Sequence, residues 1–161
     1  MTQGTVSKML EVAAKEVGYI EAPDNLTKYG AMFKVDGFPW CGSFLNWCAK
    51  NAGVEVPKVI SVIEGAKRFK ALGQYHTSNP QVGDFAFFDF VIDNKITLQH
   101  IGLVEKVQQD SIITIEGNTS RRAGPHGQAN GGEVMRKTRK IGPHQFVVGY
   151  GRPLYIKETT P

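Results

Sequence analysis

The segment GFPWCGSFLNWCAKNAGV, Gly37–Val54, places one cysteine directly after a proline–tryptophan turn and a second cysteine seven residues later. Apolar side chains recur in it at steps of three and four residues, and Gly53 supplies a C-terminal stop. This spacing predicts an amphipathic helix that begins at Cys41 and runs to about Asn51. Cys41 therefore lies in the first turn of the helix, and Cys48 lies two turns further on.

The two cysteines of this helix are expected to remain free thiols. Residues seven apart on a helix are separated by about 10 Å along the axis, which exceeds the limit of roughly 7 Å between the Cα atoms of a disulfide. The spacing of Cys41 and Cys48 also differs from that of structural zinc sites, and no histidine pair follows at the required distance. Cys48 fits the usual role of a free cysteine as a small buried hydrophobic residue.

Cys41 occupies a position that favours chemical reactivity. The first turn of a helix presents unsatisfied backbone N–H groups and the positive end of the helix dipole, and both favour the thiolate, which is the reactive form. Pro39 and Trp40 fix the direction in which the chain enters the helix. From this segment alone, a nucleophilic thiol and an ordinary core cysteine both remain open for Cys41.

A cysteine nucleophile needs a general acid/base, which is normally a histidine. Of the four histidines, His76, His126 and His144 lie in polar, proline-adjacent or glycine-rich stretches and are predicted to be solvated. His100 lies in QHIGLVEKV, which has the composition of a strand. Alternation along that strand places His100 and Gly102 on the same face.

The next predicted strand, SIITIEGN, brings a carboxylate and an amide toward the same end of the sheet. If residues 108–110 form the connecting loop, His100 lies opposite Asn118 and Gly102 lies opposite Glu116. Gly102 would then leave space for the carboxylate to reach the imidazole. A slip of one residue would turn Glu116 to the other face, so this register is a hypothesis. The alternative is a solvated strand end followed by a turn.

Elsewhere the chain changes from helical to strand periodicity near residue 79. Helices are predicted over residues 6–17, 41–51 and 60–72, and an irregular loop is predicted over residues 21–39. Strands are predicted near residues 84–91, 99–107, 111–116, 133–139 and 146–152. Helices followed by strands predict an α+β fold in which N-terminal helices pack on an antiparallel sheet of about five to six strands.

Length and composition restrict the class of protein. A chain of 161 residues with 41% hydrophobic content is expected to form one domain. It contains no apolar run of membrane-spanning length, and its N-terminus lacks the features of a secretory signal, so we expect a soluble protein made in the cytoplasm. The net charge of +4 weakly favours polyanionic partners such as nucleic acid, anionic membranes or acidic wall polymers.

Five motifs in order resemble those of the CHAP domains, which are cysteine- and histidine-dependent amidohydrolase/peptidases that cut bacterial peptidoglycan. The resemblance covers about residues 29–153, within a predicted single catalytic domain of residues 1–161 whose first 28 residues form a helix and a lead-in. The motifs are PWCGSFLNWCAKNAG (39–53), NPQVGDFAFFD (79–89), QHIGLVEKV (99–107), IEGNTS (115–120) and GYGRP (149–153).

The resemblance implies a papain-like α+β fold and a role for each candidate site residue. Cys41 would be the nucleophile and His100 the acid/base. Glu116 would orient His100, assisted or replaced by Asn118. The backbone N–H of Cys41 would stabilise the oxyanion, and Tyr29 is the candidate for a second oxyanion donor.

Two features depart from the family pattern. Some relatives bind calcium through closely spaced aspartates before the cysteine, whereas this chain has only Asp24, Asn25 and Asp36 there, so we expect no metal and no other cofactor. The basic glycine-rich loop over residues 117–132 could line a groove or be mobile. The segment MRKTRK, residues 135–140, is predicted to be a strand with a solvated face.

The expected function is hydrolysis of an amide bond in peptidoglycan, either as an endopeptidase or as an N-acetylmuramoyl-L-alanine amidase. The expected setting is a monomeric bacteriophage endolysin made in the host cytoplasm that reaches the wall after release, and a virion-associated or extracellular protein is the alternative. A non-catalytic wall-binding domain on the same fold also remains open. A nucleic-acid-binding protein is disfavoured because the basic clusters lack interleaved aromatic residues.

Overall fold

Four of the five described helices precede the strands along the chain in the computed structural model, which describes residues 3–159. Residues 1, 2, 160 and 161 of the predicted domain span lie outside the described residues. The helices are α1 (Val6–Lys15), α2 (Lys28–Met32), α3 (Cys41–Ala52), α4 (Val62–Ala71) and α5 (Pro125–Ala129). The strands are β1 (Tyr75–His76), β2 (Phe85–Phe88), β3 (His100–Val107), β4 (Ser111–Thr119), β5 (Glu133–Lys140) and β6 (Val147–Gly151).

The strands form one antiparallel sheet of six strands within the described residues, in the order β1-β6-β2-β3-β4-β5. The predicted α+β class is therefore confirmed. Three short elements were not predicted from the sequence: α2 and α5, with five residues each, and β1, with two. Segments this short carry too few residues to show a periodic pattern.

The two faces of the sheet pack against different layers. Phe85, Phe87 and Ile101 belong to the main core, which they share with the helices. Phe88 and Val104 point to the other face, where a smaller apolar cluster forms. Because side chains alternate along a strand, His100 and Gly102 share the face of Val104.

The first turns of α3 are fixed against the loop that precedes α4. A Cβ atom on Gly42 would lie 1.9 Å from the carbonyl oxygen of Val59, so only glycine permits this approach. The Asn46 side chain accepts a hydrogen bond from the N–H of Val59 at 2.8 Å and donates one to the carbonyl of Pro57 at 3.1 Å. These contacts hold the start of α3, and with it Cys41, in one place.

The pairing of β3 with β4 changes register at a bulge. Leu103 lies opposite Ile115, and Val104 lies opposite Thr114, in agreement with the predicted register. Beyond Glu105 the pairing shifts by one residue, so that Val107 lies opposite Ile112 rather than Ser111. The predicted register is therefore correct at Leu103 and Val104, on the side of the bulge toward His100, and wrong on the side that carries the connecting loop.

Gly102 provides the space that the register predicts. A Cβ atom on this residue would lie 2.6 Å from Cγ and 3.4 Å from Cδ of Glu116. The Glu116 side chain thus crosses directly over Gly102 on the face of the sheet that carries His100.

A methyl group at this position should disturb the carboxylate. We expect Gly102→Ala to lower the free energy of unfolding by about 1–3 kcal/mol, because the added atom overlaps the Glu116 side chain. Urea unfolding measures this cost. The control is the same substitution in a Glu116→Ala background, where the overlap is absent and the cost should be smaller. Equal costs in both backgrounds would contradict the close approach.

Candidate active site

Cys41 is the first residue of α3 and is 4% exposed. Trp40, which precedes the helix, makes no side-chain cap hydrogen bond, so no cap side chain covers the first-turn N–H groups. Cys41 lines a cavity of about 470 Å³ together with Leu98 and Gln99, the two residues before His100. The start of α3 and the start of β3 therefore border the same cavity.

The two cysteines differ in environment, and both are free, as predicted. Cys48 is fully buried in the main core, and burial raises the pKa of its thiol well above the usual value. It therefore remains a neutral thiol and packs like a small hydrophobic residue. Cys41 is the cysteine that borders a cavity.

His100 is fully buried at the first residue of β3, and its two ring nitrogens have different environments. Nε2 lies 2.8 Å from Oε1 of Glu116. Nδ1 is buried and has no hydrogen-bond partner among the described residues. The ring lies beside those of Phe88 and Phe90, with centroid distances of 5.6 and 5.8 Å. The imidazole is thus anchored through Nε2, and Nδ1 is left for a reacting group.

The protonated form of His100 is favoured. Burial alone lowers the pKa of the imidazole, but interactions with the side chains of Cys41 and Glu116 outweigh it and raise the pKa to about 9. At neutral pH the site therefore favours an imidazolium, and Cys41 is near enough to interact with it. A cation next to a cysteine is the environment in which a cysteine nucleophile works.

Glu116 is fully buried and accepts four hydrogen bonds from three residues. Oε1 accepts from His100 and from Nη2 of Arg139, at 2.8 and 2.6 Å. Oε2 accepts from the hydroxyl of Thr114 and from Nε of Arg139, at 2.5 and 2.8 Å. Burial raises the pKa of the carboxyl, but the bonds from Arg139 and His100 outweigh it and hold the pKa below its usual range. Glu116 is therefore a carboxylate.

Arg139 is the site residue that sequence reasoning missed, because residues 135–140 were predicted to have a solvated face. The side chain is 7% exposed, and its guanidinium carbon lies 5.0 and 5.2 Å from the ring centroids of Phe88 and Phe90. It also donates a hydrogen bond to Gln128 of α5. Alternation along β5, combined with the register against β4, could have placed it on the face of Glu116.

Asn118, which was predicted to assist or replace Glu116 at the imidazole, makes its side-chain hydrogen bonds elsewhere in the structure. Its amide donates to Oδ1 of Asn130 at 2.8 Å and accepts from the N–H of Gly132 at 3.0 Å. Its φ of 55° is in the left-handed region, where the chain turns into the loop over residues 117–132. Asn118 therefore holds this loop, and Glu116 occupies the ring nitrogen that Asn118 was expected to share.

The hydroxyl of Tyr29, which was predicted to be an oxyanion donor, is hydrogen-bonded to α1 in the structure. Its hydroxyl donates to Oε2 of Glu16 at 2.5 Å, and its ring packs against those of Trp40, Phe44 and Trp47. Burial and the Glu16 carboxylate raise the pKa of the hydroxyl well above its usual value. The one proton of this hydroxyl is committed to the contact between α2 and α1.

The described residues contain no group of three or more histidine, cysteine, aspartate or glutamate side chains placed to hold a metal ion. Asp36 instead accepts a hydrogen bond from the N–H of Thr27 at 2.8 Å and so closes its own loop. In addition, within residues 3–159 no helix combines the length and apolar character needed to span a membrane.

A thiol at a helix start, an imidazole on a strand and a carboxylate that anchors the imidazole form the arrangement of papain-like cysteine hydrolases. The CHAP domain family matches residues 33–118, which is more than half of the chain. The protein belongs to the CHAP domain family, whose members are hydrolases and peptidases.

Two solved structures are similar in fold. The crystal structure of Ly7917 aligns with a TM-score of 0.54 at 19% identity, covering 92% of this chain and 62% of that chain. The crystal structure of Ly7917 with the hydrolyzing product of MDP aligns with a TM-score of 0.52 at the same identity and coverage. The chain thus spans less than two thirds of Ly7917, and the likeness confirms the papain-like α+β fold. No curated protein sequence matches the chain.

A substitution separates packing from oxyanion binding for Tyr29. We expect Tyr29→Phe to lower the free energy of unfolding by about 1–3 kcal/mol, because a partly buried hydrogen bond to the Glu16 carboxylate is lost. Hydrolysis by the folded protein should be unchanged. Tyr19→Phe, which alters a more exposed hydroxyl on the same aromatic cluster, is the control. A loss of about 100-fold or more in kcat with unchanged stability would show that Tyr29 is an oxyanion donor after all.

Proposed function

We propose that the protein is a peptidoglycan hydrolase that cleaves an amide bond by acyl transfer to Cys41. The observation that carries this proposal is geometric: Cys41 at the start of α3 borders a cavity with Leu98 and Gln99, the residues before His100, whose ring is held at Nε2 by the fully buried Glu116. Membership of the CHAP family supports hydrolysis. The structure of Ly7917 with the hydrolyzing product of MDP, which is similar to this chain in fold, supports it further.

The reaction follows from the two nitrogens of His100. The Cys41 thiolate attacks the carbonyl carbon of the amide, and the N–H of Cys41 at the helix start stabilises the oxyanion. The imidazolium gives its Nδ1 proton to the leaving amine as the C–N bond breaks and a thioester forms. Nδ1 then takes a proton from a water molecule as the water oxygen attacks the thioester. The C–S bond breaks, which releases the carboxylic acid and restores the Cys41 thiolate beside the His100 imidazolium. Throughout, Glu116 keeps Nε2 in place.

An apolar groove beside Cys41 is our candidate for the substrate-binding surface. The cavity at Cys41 is lined by Phe38, Ile63 and Leu98, and Phe38 is 65% exposed. A second cavity of about 530 Å³ shares Ile63 and Leu98 with the first and extends to Lys67 and Lys70. A peptide bound along both cavities would have its scissile bond at Cys41 and a carboxylate near the two lysines.

The proposal also covers the bond that is cleaved, the biological setting and the cofactor requirement. We infer an endopeptidase or an N-acetylmuramoyl-L-alanine amidase that acts as a monomeric phage endolysin, is made in the host cytoplasm, reaches the wall after release and requires no cofactor. Bacterial peptidoglycan is the proposed partner.

The test is digestion of purified peptidoglycan from several bacteria, with the new termini identified by mass spectrometry. A new amino terminus within the peptides indicates an endopeptidase, and a peptide released from muramic acid indicates an amidase. We expect Cys41→Ala and His100→Ala to lose at least about a thousandfold in rate, because each removes one half of the reacting pair.

Matched controls come from the same chain. Cys48→Ala removes the other thiol, and His126→Ala removes an exposed histidine from the loop over residues 117–132. Both should retain the rate of the unmodified protein after correction for folded fraction. Full activity of Cys41→Ala would refute the mechanism. A protein that binds every wall tested and cuts none would be the non-catalytic binding domain.

A further inference from the structure

Among the described residues, Arg139 and His100 are the two cationic groups that contact the carboxylate of Glu116. Its Nε and Nη2 bind the two oxygens of Glu116 in a forked contact, at 2.8 and 2.6 Å. The guanidinium lies over Phe88 and Phe90, the same rings that lie beside His100. Such a contact matches the planar shape of a carboxylate and resists replacement by lysine.

The charges of the site explain why a second cation is needed. In the reactive form, Cys41 and Glu116 are anions and His100 is a cation. Glu116 and His100 are fully buried and Cys41 nearly so. An excess negative charge in such an environment is costly and would be relieved by protonation of the sulfur or the carboxylate. The guanidinium of Arg139 makes the set neutral.

We propose that Arg139 is a positioning residue for the reaction. By binding both oxygens of Glu116, it keeps the carboxylate ionised and directed at His100 while the thiolate forms on the other side of the ring. This inference rests on the proposed function, because it assigns Arg139 a part in the same acyl transfer.

Other charged groups lie near Glu116 and Arg139 and affect the pH dependence of the site. Lys137, on the same strand, interacts with both Arg139 and Glu116 and donates a hydrogen bond to the carbonyl of Ser120 at 2.5 Å. Arg121, in the loop over residues 117–132, interacts with Lys137. Neither makes a hydrogen bond to Glu116 among the described residues, so neither substitutes for the forked contact.

The experiment measures alkylation of Cys41 by iodoacetamide as a function of pH, with peptide mass spectrometry separating Cys41 from Cys48. We expect Arg139→Gln to raise the pH of half-maximal rate by about one unit, which is about a tenfold slower reaction on the acid side of the midpoint. Arg139→Lys retains the charge but loses the fork, and its midpoint should lie between those of Arg139→Gln and the unmodified protein.

Two controls test whether Arg139 affects Cys41 through the carboxylate of Glu116. Arg136, which is on the same strand as Arg139, forms an exposed ion pair with Glu105 of β3. Arg136→Gln breaks this pair, and its alkylation midpoint should equal that of the unmodified protein. In a Glu116→Gln background, Arg139→Gln should shift the midpoint less than it does alone, because the carboxylate through which it acts is gone. Equal shifts in the two backgrounds would overturn the positioning role.

An unchanged midpoint in folded Arg139→Gln also overturns the proposal. If circular dichroism shows that Arg139→Gln does not fold, Arg139→Lys is measured in its place. An alkylation midpoint of Arg139→Lys equal to that of the unmodified protein then overturns the proposal. Alkylation requires no peptidoglycan, so the outcome is independent of wall cleavage. If the protein cleaves none of the walls tested but Arg139→Gln shifts the alkylation midpoint as described, the proposed function is refuted and the role of Arg139 is retained.

Discussion

The structure of the site depends on one buried carboxylate, Glu116, whose oxygens accept hydrogen bonds from His100, Thr114 and Arg139. A buried ion is stabilising only when its neighbours satisfy it completely, and removal of any partner leaves a costly charge. This constraint accounts for features that would otherwise be unrelated. Gly102 leaves space for the side chain, and Phe88 and Phe90 hold the planar cations beside it.

The scaffold places Cys41 against this network from another layer. The main core fixes α3 on the helical side of the sheet, and the close approach at Gly42 fixes its first turn. The imidazole is contributed by the first residue of β3 and the carboxylate by β4, both on the opposite face. The thiol and the imidazole therefore meet where β3 begins. The helical layer positions the nucleophile, and the sheet positions the groups that tune it.

Local patterns were sufficient to predict the parts of the site that depend on short-range order. Helical spacing placed Cys41 at a helix start, and alternation placed His100 and Glu116 on one face, with Gly102 between them. The partners that sequence did not reveal are distant along the chain. The hydroxyl of Tyr29 binds Glu16 of α1, the amide of Asn118 binds Asn130, and Arg139 binds Glu116 of β4 and Gln128 of α5. The residue type shows which hydrogen bonds such a side chain can make. It does not show which of several possible partners the fold brings next to it.

The central claim is that the buried carboxylate holds His100 as a cation beside the sulfur, and nuclear magnetic resonance of the ring nitrogens tests it most directly. In protein labelled with ¹⁵N-histidine, the His100 signals are assigned by their loss in His100→Gln. The account predicts that both ring nitrogens are protonated at pH 7.5 and titrate well above the usual histidine value of about 6.5. A neutral ring at pH 7.5, with titration at or below that value, would contradict the account.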